Sequence, residues 1–390
     1  VNSAVTLAGS AIFRNDRGWS HETSQLSLRG ALTGSVTLTI EGAGSGGVEL
    51  RADNASTFTG PIVVNGGWFL VGHSQALGDV GHGTTLNSGA TLVFRGGVNT
   101  PEHFTVAGNA NQSSLSPSSA SGTFTVNDGA TFTINNGGGN TFNLTGTLAG
   151  PGGIVMTSGG SVLSGSSPNT LGGLIDHQSD RSSDGLNTLT LDKSGGAAAI
   201  AGPLKLSKKA IVKWAQNDQV ADISSLELAG GVLNPDGHSD ALGMLTVTGP
   251  GEIDLSGGPN TLRFADSRTE TWAGGGELLI TGWSGSGTDA VFVGASDAGL
   301  TSTQLGKIAF VDPAGQVAGL YLADQLPTGE LIPSSNEVVP INPAFDVSAA
   351  AMSRRERIYS STGRADLSGT GTPLTAGMKI SLFGDSITWQ

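Results

Sequence analysis

The residues best suited to chemistry stand near the end of the chain, where the apolar run 379–383 leads directly into Gly384, Asp385 and Ser386. We predict a buried strand over this run and a strand-to-helix turn after it. Gly384 allows the backbone to bend closely, so Ser386 would be exposed at the carboxyl end of the strand and at a helix N-terminus. There its backbone N–H could stabilise an oxyanion, which is the physical logic of a nucleophile elbow in acyl transfer.

A second group of chemically capable residues lies within 175–185, and its potential metal ligands are Asp176, His177, Asp180 and Asp184. Carboxylates at this spacing could face one cation, but the spacing does not match an EF-hand. Arg181 also stands among them, so a polar loop between two turns of the fold is favoured. Segment 137–143 partly matches a calcium-binding nonapeptide, yet it has no tandem copy and no following Asp. We therefore predict no metal site.

Composition limits the classes of function. The chain has 390 residues with 62 Gly, no Cys and 37% hydrophobic residues. The glycines follow no three-residue period, which excludes collagen, and the apolar content is too high for a disordered chain. A net charge of −13 opposes binding to nucleic-acid phosphates and to anionic membranes. No apolar run reaches the roughly 18 residues of a membrane-spanning helix.

Short runs of alternating apolar and polar residues dominate residues 1–333 and predict β-strands. A corner phrase between them recurs as NGGWFLVG at 65–72, NSGATLVF at 87–94 and NDGATFTI at 127–134. Its glycines supply the positive φ angles of tight corners. One strand–turn–strand unit cannot bury its own apolar face, whereas stacked units can. We therefore predict an all-β fold, a parallel β-helix over 1–333; the alternative is a large antiparallel sandwich or barrel.

The alternation also predicts which side chains form the core. We expect the following residues to point inward: Val63, Leu70, Leu92, Phe94, Phe124, Val126, Phe132 and Ile134. Asn and Thr at equivalent corners are expected to form ladders along the stack. Trp68, Trp272 and Trp283 could stack on sugars, but packing in the core or in a cap is favoured.

Composition changes after about residue 325. The Pro-rich segment 326–345 predicts an extended linker, and 346–364 is the best helix candidate, with Ser348 as a possible N-cap. We therefore divide the chain into a β-helix at 1–333, a linker with a short helix at 334–377, and a separate segment at 378–390.

Residues 48–72 resemble the autotransporter-associated β-strand repeat, whose phrase runs strand, Asn-Thr-Tyr-Thr-Gly, strand, Gly-Gly-Thr-Leu, strand. Ser-Thr-Phe-Thr-Gly at 56–60 and Gly-Gly-Trp-Phe-Leu at 66–70 stand at those places. Residues 259–333 resemble the closing segment of bacterial surface proteins built from such repeats. The resemblance implies export and a passenger-like β-helix, and it implies no chemistry.

Residues 378–390, MKISLFGDSITWQ, resemble the first motif block of GDSL/SGNH hydrolases. The resemblance implies the first strand of a flavodoxin-like α/β domain, with Ser386 as catalytic nucleophile in the turn motif Gly384-Asp385-Ser386. The family's further oxyanion donors and its Asp-x-x-His base follow the nucleophile. We therefore expect them beyond Gln390 and not among the upstream histidines.

Together these observations predict an exported bacterial protein, extracellular or on the cell surface, whose β-helix stalk carries a serine esterase. Only the start of the esterase lies within these residues, and we expect the 390-residue chain alone to be inactive. The implied reaction is hydrolysis of acyl or acetyl esters of glycans, with an ester-bearing polysaccharide as partner and no cofactor. The alternative is a purely structural or adhesive passenger without enzymatic activity.

Overall fold

The chain folds as a parallel β-helix of about ten turns. The computed structural model describes residues 1–17, 25–43, 46–179, 188–340, 379–382 and 385–388. Strands pair in parallel with the strand one turn earlier and one turn later. Ile62, for example, is aligned with Thr84, which is aligned with Phe104. The predicted β-helix is therefore confirmed, and the sandwich alternative is wrong for the described part of residues 1–311.

Three strand-lined faces, here called A, B and C, surround the interior. Face A contains Leu26–Leu28, Gly47–Leu50, Gly67–Val71, Ala90–Phe94, Ala110–Ser114, Thr131–Asn135, Gly153–Ser158, Ile175–Ser179, the first parts of Leu204–Trp214 and Leu226–Asn234, and Leu245–Val247. Face B contains Asn99–Thr100, Ser118–Ala120, Thr141–Leu144, Gly160–Gly165, Thr188–Lys193, the second parts of the same two long strands, Pro250–Asp254, Glu277–Thr281 and Ile308–Val311.

Face C contains Ala11–Arg14, Leu38–Glu41, Ile62–Val64, Thr84–Leu86, Phe104–Val106, Thr123–Val126, Thr147–Gly150 and Thr170–Leu171, and later Ser239–Leu242, Asn260–Phe264 and Asp289–Val293. Two short strands near the N-terminus, Val5–Thr6 and Leu32–Thr33, pair with each other. The described helices are a four-residue α-helix, Ser302–Leu305, and a short 3-10 turn, Gly137–Gly139.

Glycine makes the repeated corners possible. Gly89 and Gly129 occupy the same place in two copies of the corner phrase and have φ angles of 83° and 70°. A residue with a Cβ is strained in this left-handed region, whereas glycine is not. The corner phrase therefore acts as predicted, by turning the chain from one face to the next.

The inward side chains form one continuous apolar column. Six of the eight predicted residues belong to it and are at most 2% exposed: Leu92, Phe94, Phe124, Val126, Phe132 and Ile134. Aromatic rings stack along the column, with the Phe104 and Phe124 centroids 4.6 Å apart and nearly parallel. Such contacts between neighbouring turns add about 0.5–1.5 kcal/mol to the burial of the rings.

Two of the inward predictions are wrong. Val63 is half-buried and faces outward, because Ile62 and Val64 on either side of it fill the core. Leu70 is fully buried but lies in the outward row, between the inward-facing Phe69 and Val71. Both errors come from runs of consecutive apolar residues, in which a period of two does not determine the phase of the strand.

The C-terminal end of the β-helix is closed by antiparallel strands. Gly319–Gln325 pairs antiparallel with Ile308–Val311 and with Glu330–Pro340. The segment predicted as an extended linker therefore begins with a paired strand that reaches Pro340. A parallel turn at the end of a stack would leave its outer N–H and C=O groups unpaired, and a hairpin laid over it removes that exposed edge. The predicted helix at 346–364 lies outside the described residues.

Replacing an inward leucine should destabilise the whole stack. We expect Leu92→Ala to lower the free energy of unfolding by about 2–5 kcal/mol, because it leaves a cavity between neighbouring turns. The matched control is Thr91→Ala, whose side chain points outward from the same strand and which should cost less than about 1 kcal/mol. Urea unfolding followed by circular dichroism would measure both; equal losses would contradict the assigned register.

Candidate functional site

The predicted nucleophile lies in the last described part of the chain. Lys379–Leu382 forms a strand within the run 379–383, but Asp385–Thr388 forms a second strand antiparallel to it, with Ser381 aligned to Ser386, whereas we predicted a parallel strand. The backbone of Ser386 therefore lies in a hairpin and not at a helix N-terminus. Pairing with the nearest extended segment satisfies the N–H and C=O groups of an isolated strand. Gly384 lies outside the described residues, and the catalytic role of Ser386 stays a prediction.

One upstream histidine has the Asp-x-x-His spacing that we did not expect there. In Asp79-Val80-Gly81-His82, the Nδ1 of His82 lies 3.4 Å from Oδ2 of Asp79. Both side chains are nearly half exposed, at 48% and 43%. The Asp79 carboxylate also accepts a hydrogen bond from the Gly81 N–H, which holds the loop before face C. The spacing was visible in the sequence, and the pair lies in a turn of the β-helix.

The acidic segment 175–185 begins in a face A strand, and its described residues do not form a metal site. Asp176 faces outward and accepts hydrogen bonds from Ser207 Oγ and Gln178 Nε2, whereas His177 faces the interior and is 2% exposed. Adjacent residues of a strand point to opposite faces, so these two cannot bind one cation. Asp180 and Asp184 lie outside the described residues. Across the part of the chain that the structure describes, no three His, Cys, Asp or Glu side chains form a metal-binding group.

The other suggested ligand sites serve packing or backbone support. Asn140, in the segment compared with a calcium loop, donates to the carbonyls of Ser114 and Gly137. Trp272 is buried and donates from Nε1 to the Leu245 carbonyl. Trp283 packs edge-on against Phe310 at a centroid distance of 5.7 Å. Trp68 is half-buried and faces outward on face A.

Polar side chains form the expected ladders along the outside of the stack. Asn87 donates from Nδ2 to Oδ1 of Asn65 at 2.8 Å, across one turn. The hydroxyls of Thr123 and Thr147 hydrogen bond to each other at the same distance. These contacts join side chains at equivalent positions of successive turns, as the corner phrase predicts.

Buried amides join turns from the inside. Asn169 accepts from the Leu148 N–H at 2.9 Å and donates to the Ala199 carbonyl at 2.7 Å. It therefore bridges the turn before its own to the turn after. Asn54 makes the same two-way bridge nearer the N-terminus. A buried N–H or C=O without a partner is costly, so these amides replace backbone pairing where the chain bends.

Two buried carboxyl groups also make hydrogen bonds inside the stack. Asp240 is 5% exposed and accepts through Oδ2 from the N–H groups of Gln219 and Val220, both at 2.8 Å. Glu102 is 2% exposed and accepts from Thr84 Oγ1 at 2.8 Å. Burial raises the pKa of each carboxyl to about 7, because desolvation penalises the charged form more than these hydrogen bonds stabilise it.

A lysine is also buried inside the stack. Lys193 is fully buried and donates from Nζ to the Gly146 carbonyl at 2.6 Å. Burial lowers the pKa of this amine to about 8. Perturbed groups of this kind often mark active sites, but Glu102, Asp240 and Lys193 point into the packed interior. Their hydrogen bonds connect parts of the stack to one another, which is a structural role.

No protein-family model, curated protein or solved structure matches this chain. The β-helix is therefore established by the geometry of the chain itself, and the autotransporter and hydrolase resemblances remain predictions. In the described ranges, no helix is long and apolar enough to cross a membrane.

Removing the buried carboxyl should change how stability depends on pH. Between about pH 4.5 and 7 the folded state keeps the Glu102 proton that the unfolded state releases, so stability falls as pH rises through this range. We expect Glu102→Gln to reduce the loss of unfolding free energy between pH 4 and 8 by about 2–3 kcal/mol. The control Asp128→Asn, at an exposed corner, should change the unfolding free energy at pH 7 by less than about 0.5 kcal/mol. Urea unfolding of both proteins at several pH values would test this. The same dependence of unfolding free energy on pH for Glu102→Gln and the parent would contradict it.

Removing one buried amide side chain should lower the free energy of unfolding by more than the net contribution of its two hydrogen bonds. Asn54 accepts from the Leu32 N–H at 2.8 Å and donates to the Ala76 carbonyl at 2.7 Å. Asn54→Ala leaves both backbone groups buried in the stack without a hydrogen-bond partner. We therefore expect the free energy of unfolding to fall by about 2–5 kcal/mol. The control Asn111→Ala, on an exposed outward position of face A, should change stability by less than about 0.5 kcal/mol. Thermal and urea unfolding measure both.

Proposed function

We propose that this chain belongs to an exported bacterial surface protein in which a β-helix stalk carries a serine esterase. About ten turns stacked roughly 4.8 Å apart make a rod of about 50 Å. The antiparallel strands that end the rod let the chain leave it without an exposed β-edge. A rod of this length can hold a following domain away from its point of attachment.

The observation that carries the esterase proposal is the segment MKISLFGDSITWQ at 378–390, with its Gly384-Asp385-Ser386 turn motif. In the proposed reaction the Ser386 hydroxyl attacks the ester carbonyl and forms an acyl-enzyme, and the alcohol leaves. Water then hydrolyses the acyl-enzyme, which releases the acid and restores the serine. A base and further oxyanion donors must come from sequence downstream of Gln390.

Acyl or acetyl esters of glycans are the substrate class we propose. The support is chemical analogy, since a stalk on a cell surface places an esterase where polysaccharides are its neighbours. The chain's net charge of −13 further favours substrates that are not strongly anionic.

A structural or adhesive passenger is the second candidate. The observation in its favour is that the strongly perturbed groups Glu102, Lys193 and Asp240 are all used inside the stack. In this case the last residues carry no chemistry.

Ester hydrolysis with and without the downstream sequence separates the two candidates. We expect a version extended past Gln390 to hydrolyse p-nitrophenyl acetate, and Ser386→Ala to lower its kcat by about a thousandfold or more. Ser381→Ala, in the neighbouring strand, is the matched control and should retain turnover. The 390-residue chain alone should show no turnover that depends on Ser386, because the resemblance implies a base that follows the nucleophile in the downstream sequence. Equal activity of the Ser386→Ala variant and the parent would favour the structural candidate.

A further inference from the structure

Two Asn-Gly dipeptides occur in the chain, at 65–66 and 136–137, and they lie in different environments. Asn65 is exposed at the corner where the chain turns from face C to face A. Asn136 is 1% exposed and lies inside the stack. The same pair of residues therefore stands once at the surface and once in the interior, which allows the fold to determine what each pair can do.

An Asn-Gly pair can modify itself without an enzyme. The main-chain nitrogen of the glycine attacks the side-chain amide carbon and loses its proton as the new C–N bond forms. Ammonia leaves with a proton from solvent, which produces a five-membered succinimide. Water then opens this ring at either carbonyl and gives aspartate or isoaspartate. The net reaction consumes one water and releases one ammonia, and glycine favours it because no Cβ crowds the attacking nitrogen.

The main-chain nitrogen of Gly66 is available as the nucleophile. Within the described part of the chain, its N–H donates no hydrogen bond. The N–H groups on either side are paired, since Asn65 donates to the Ile40 carbonyl at 2.9 Å. On the other side, Gly67 donates to the Gly89 carbonyl at 3.2 Å. Attack by the Gly66 nitrogen therefore breaks no hydrogen bond of the corner.

The side-chain amide of Asn65 is polarised by its neighbour in the amide ladder. Its Oδ1 accepts a hydrogen bond from Nδ2 of Asn87, one turn later, at 2.8 Å. Attack on the amide carbon turns this oxygen into an oxyanion, so a donor already in place stabilises the intermediate. The nitrogen that must leave makes only a long contact, at 3.4 Å, with the Glu41 carboxylate. Both ends of the amide therefore favour its loss of ammonia.

The amide of Asn136 has the opposite arrangement. Its Oδ1 accepts no hydrogen bond from the described residues, so an oxyanion there would be buried without a donor. Its Nδ2, the group that would leave, donates to the Gly160 carbonyl at 2.9 Å and to Ser161 Oγ at 3.3 Å. Loss of ammonia would break both contacts inside the stack, which costs free energy that Asn65 does not lose.

We propose that Asn65 is a site of self-catalysed deamidation, in which the Gly66 nitrogen attacks the side chain and Asn87 supports the oxyanion, whereas the fold protects Asn136. The product carries a new carboxylate beside Glu41, and the two like charges repel each other. As isoaspartate it also adds one carbon to the main chain of the corner. The modification therefore loosens the contacts between turns at this corner, and it does not depend on the esterase.

The test follows both dipeptides in one sample. The 390-residue chain is incubated in mildly alkaline buffer made with water that carries a heavy oxygen isotope, digested with pepsin in acid, and mapped by mass spectrometry. We expect Asn65 to give both aspartate and isoaspartate, each with one solvent oxygen. Asn136 should react at least about tenfold more slowly. In concentrated urea both should react at similar rates, because the difference comes from the fold.

Two variants test the mechanism at the corner. Asn87→Ala removes the oxyanion donor and should slow the reaction by about two- to tenfold. Gly66→Ala crowds the attacking nitrogen and should slow it by about threefold or more. An added Cβ at Gly66 meets the Gly42 carbonyl oxygen at 3.5 Å, an ordinary contact, so the corner is retained. The control Asn111→Ala, exposed on face A, should leave the rate at Asn65 unchanged.

Three outcomes would overturn the proposal: reaction of Asn65 as slow as that of Asn136 in the folded chain, aspartate formed without isoaspartate, or an unchanged rate in Asn87→Ala. Aspartate alone would indicate direct attack of water in place of the Gly66 nitrogen. Melting curves of all variants establish that the fold is retained. Ser386→Ala should react at Asn65 like the parent, so failure of the esterase proposal stays distinguishable from failure of this one.

Discussion

Each parallel strand in the described β-helix depends on the strands one turn before and one turn after it for its backbone hydrogen bonds. A parallel β-helix has no local hairpins that could satisfy a strand on their own, so no turn is stable in isolation. This constraint explains why inward positions repeat in register and why Phe104 and Phe124 stack directly on each other. It also explains the antiparallel closure by Gly319–Gln325 and Glu330–Pro340, because the last parallel turn must pair with something that ends the stack.

The same constraint is hardest to meet at the corners, where the backbone leaves the sheet geometry. There the chain uses side chains in place of backbone partners, and Asn169 reaches both the previous and the following turn. Asp240 supports two N–H groups through one oxygen. Carboxyls in such places keep their protons to near neutral pH, because the interior does not solvate their charge. The raised pKa of Asp240 is therefore a consequence of its burial where it supports a corner of the chain.

Much of the fold could be predicted from the sequence because alternation and corner phrases act locally. Phe124 and Val126 alternate with threonines, and their inward placement follows directly. The phase of Leu70 could not be predicted, since its neighbours are all apolar. The inward position of Glu102 could not be predicted either, because a carboxyl between strands is normally expected to face solvent. The direction of the closing strands depends on tertiary pairing, which a period of two does not contain.

The packing of the β-helix determines which of its surfaces a substrate could contact. The interior of the described β-helix is filled by apolar side chains and by polar groups that support the backbone, so a substrate can meet the stack only on its outer faces. Those faces are flat and regular, so they do not enclose a reacting ester. Hydrolysis needs a nucleophile, a base and oxyanion donors brought together in one concave site, and a single outward column of a solenoid does not provide that geometry. The proposed esterase would therefore need a concave site outside the regular faces of the β-helix.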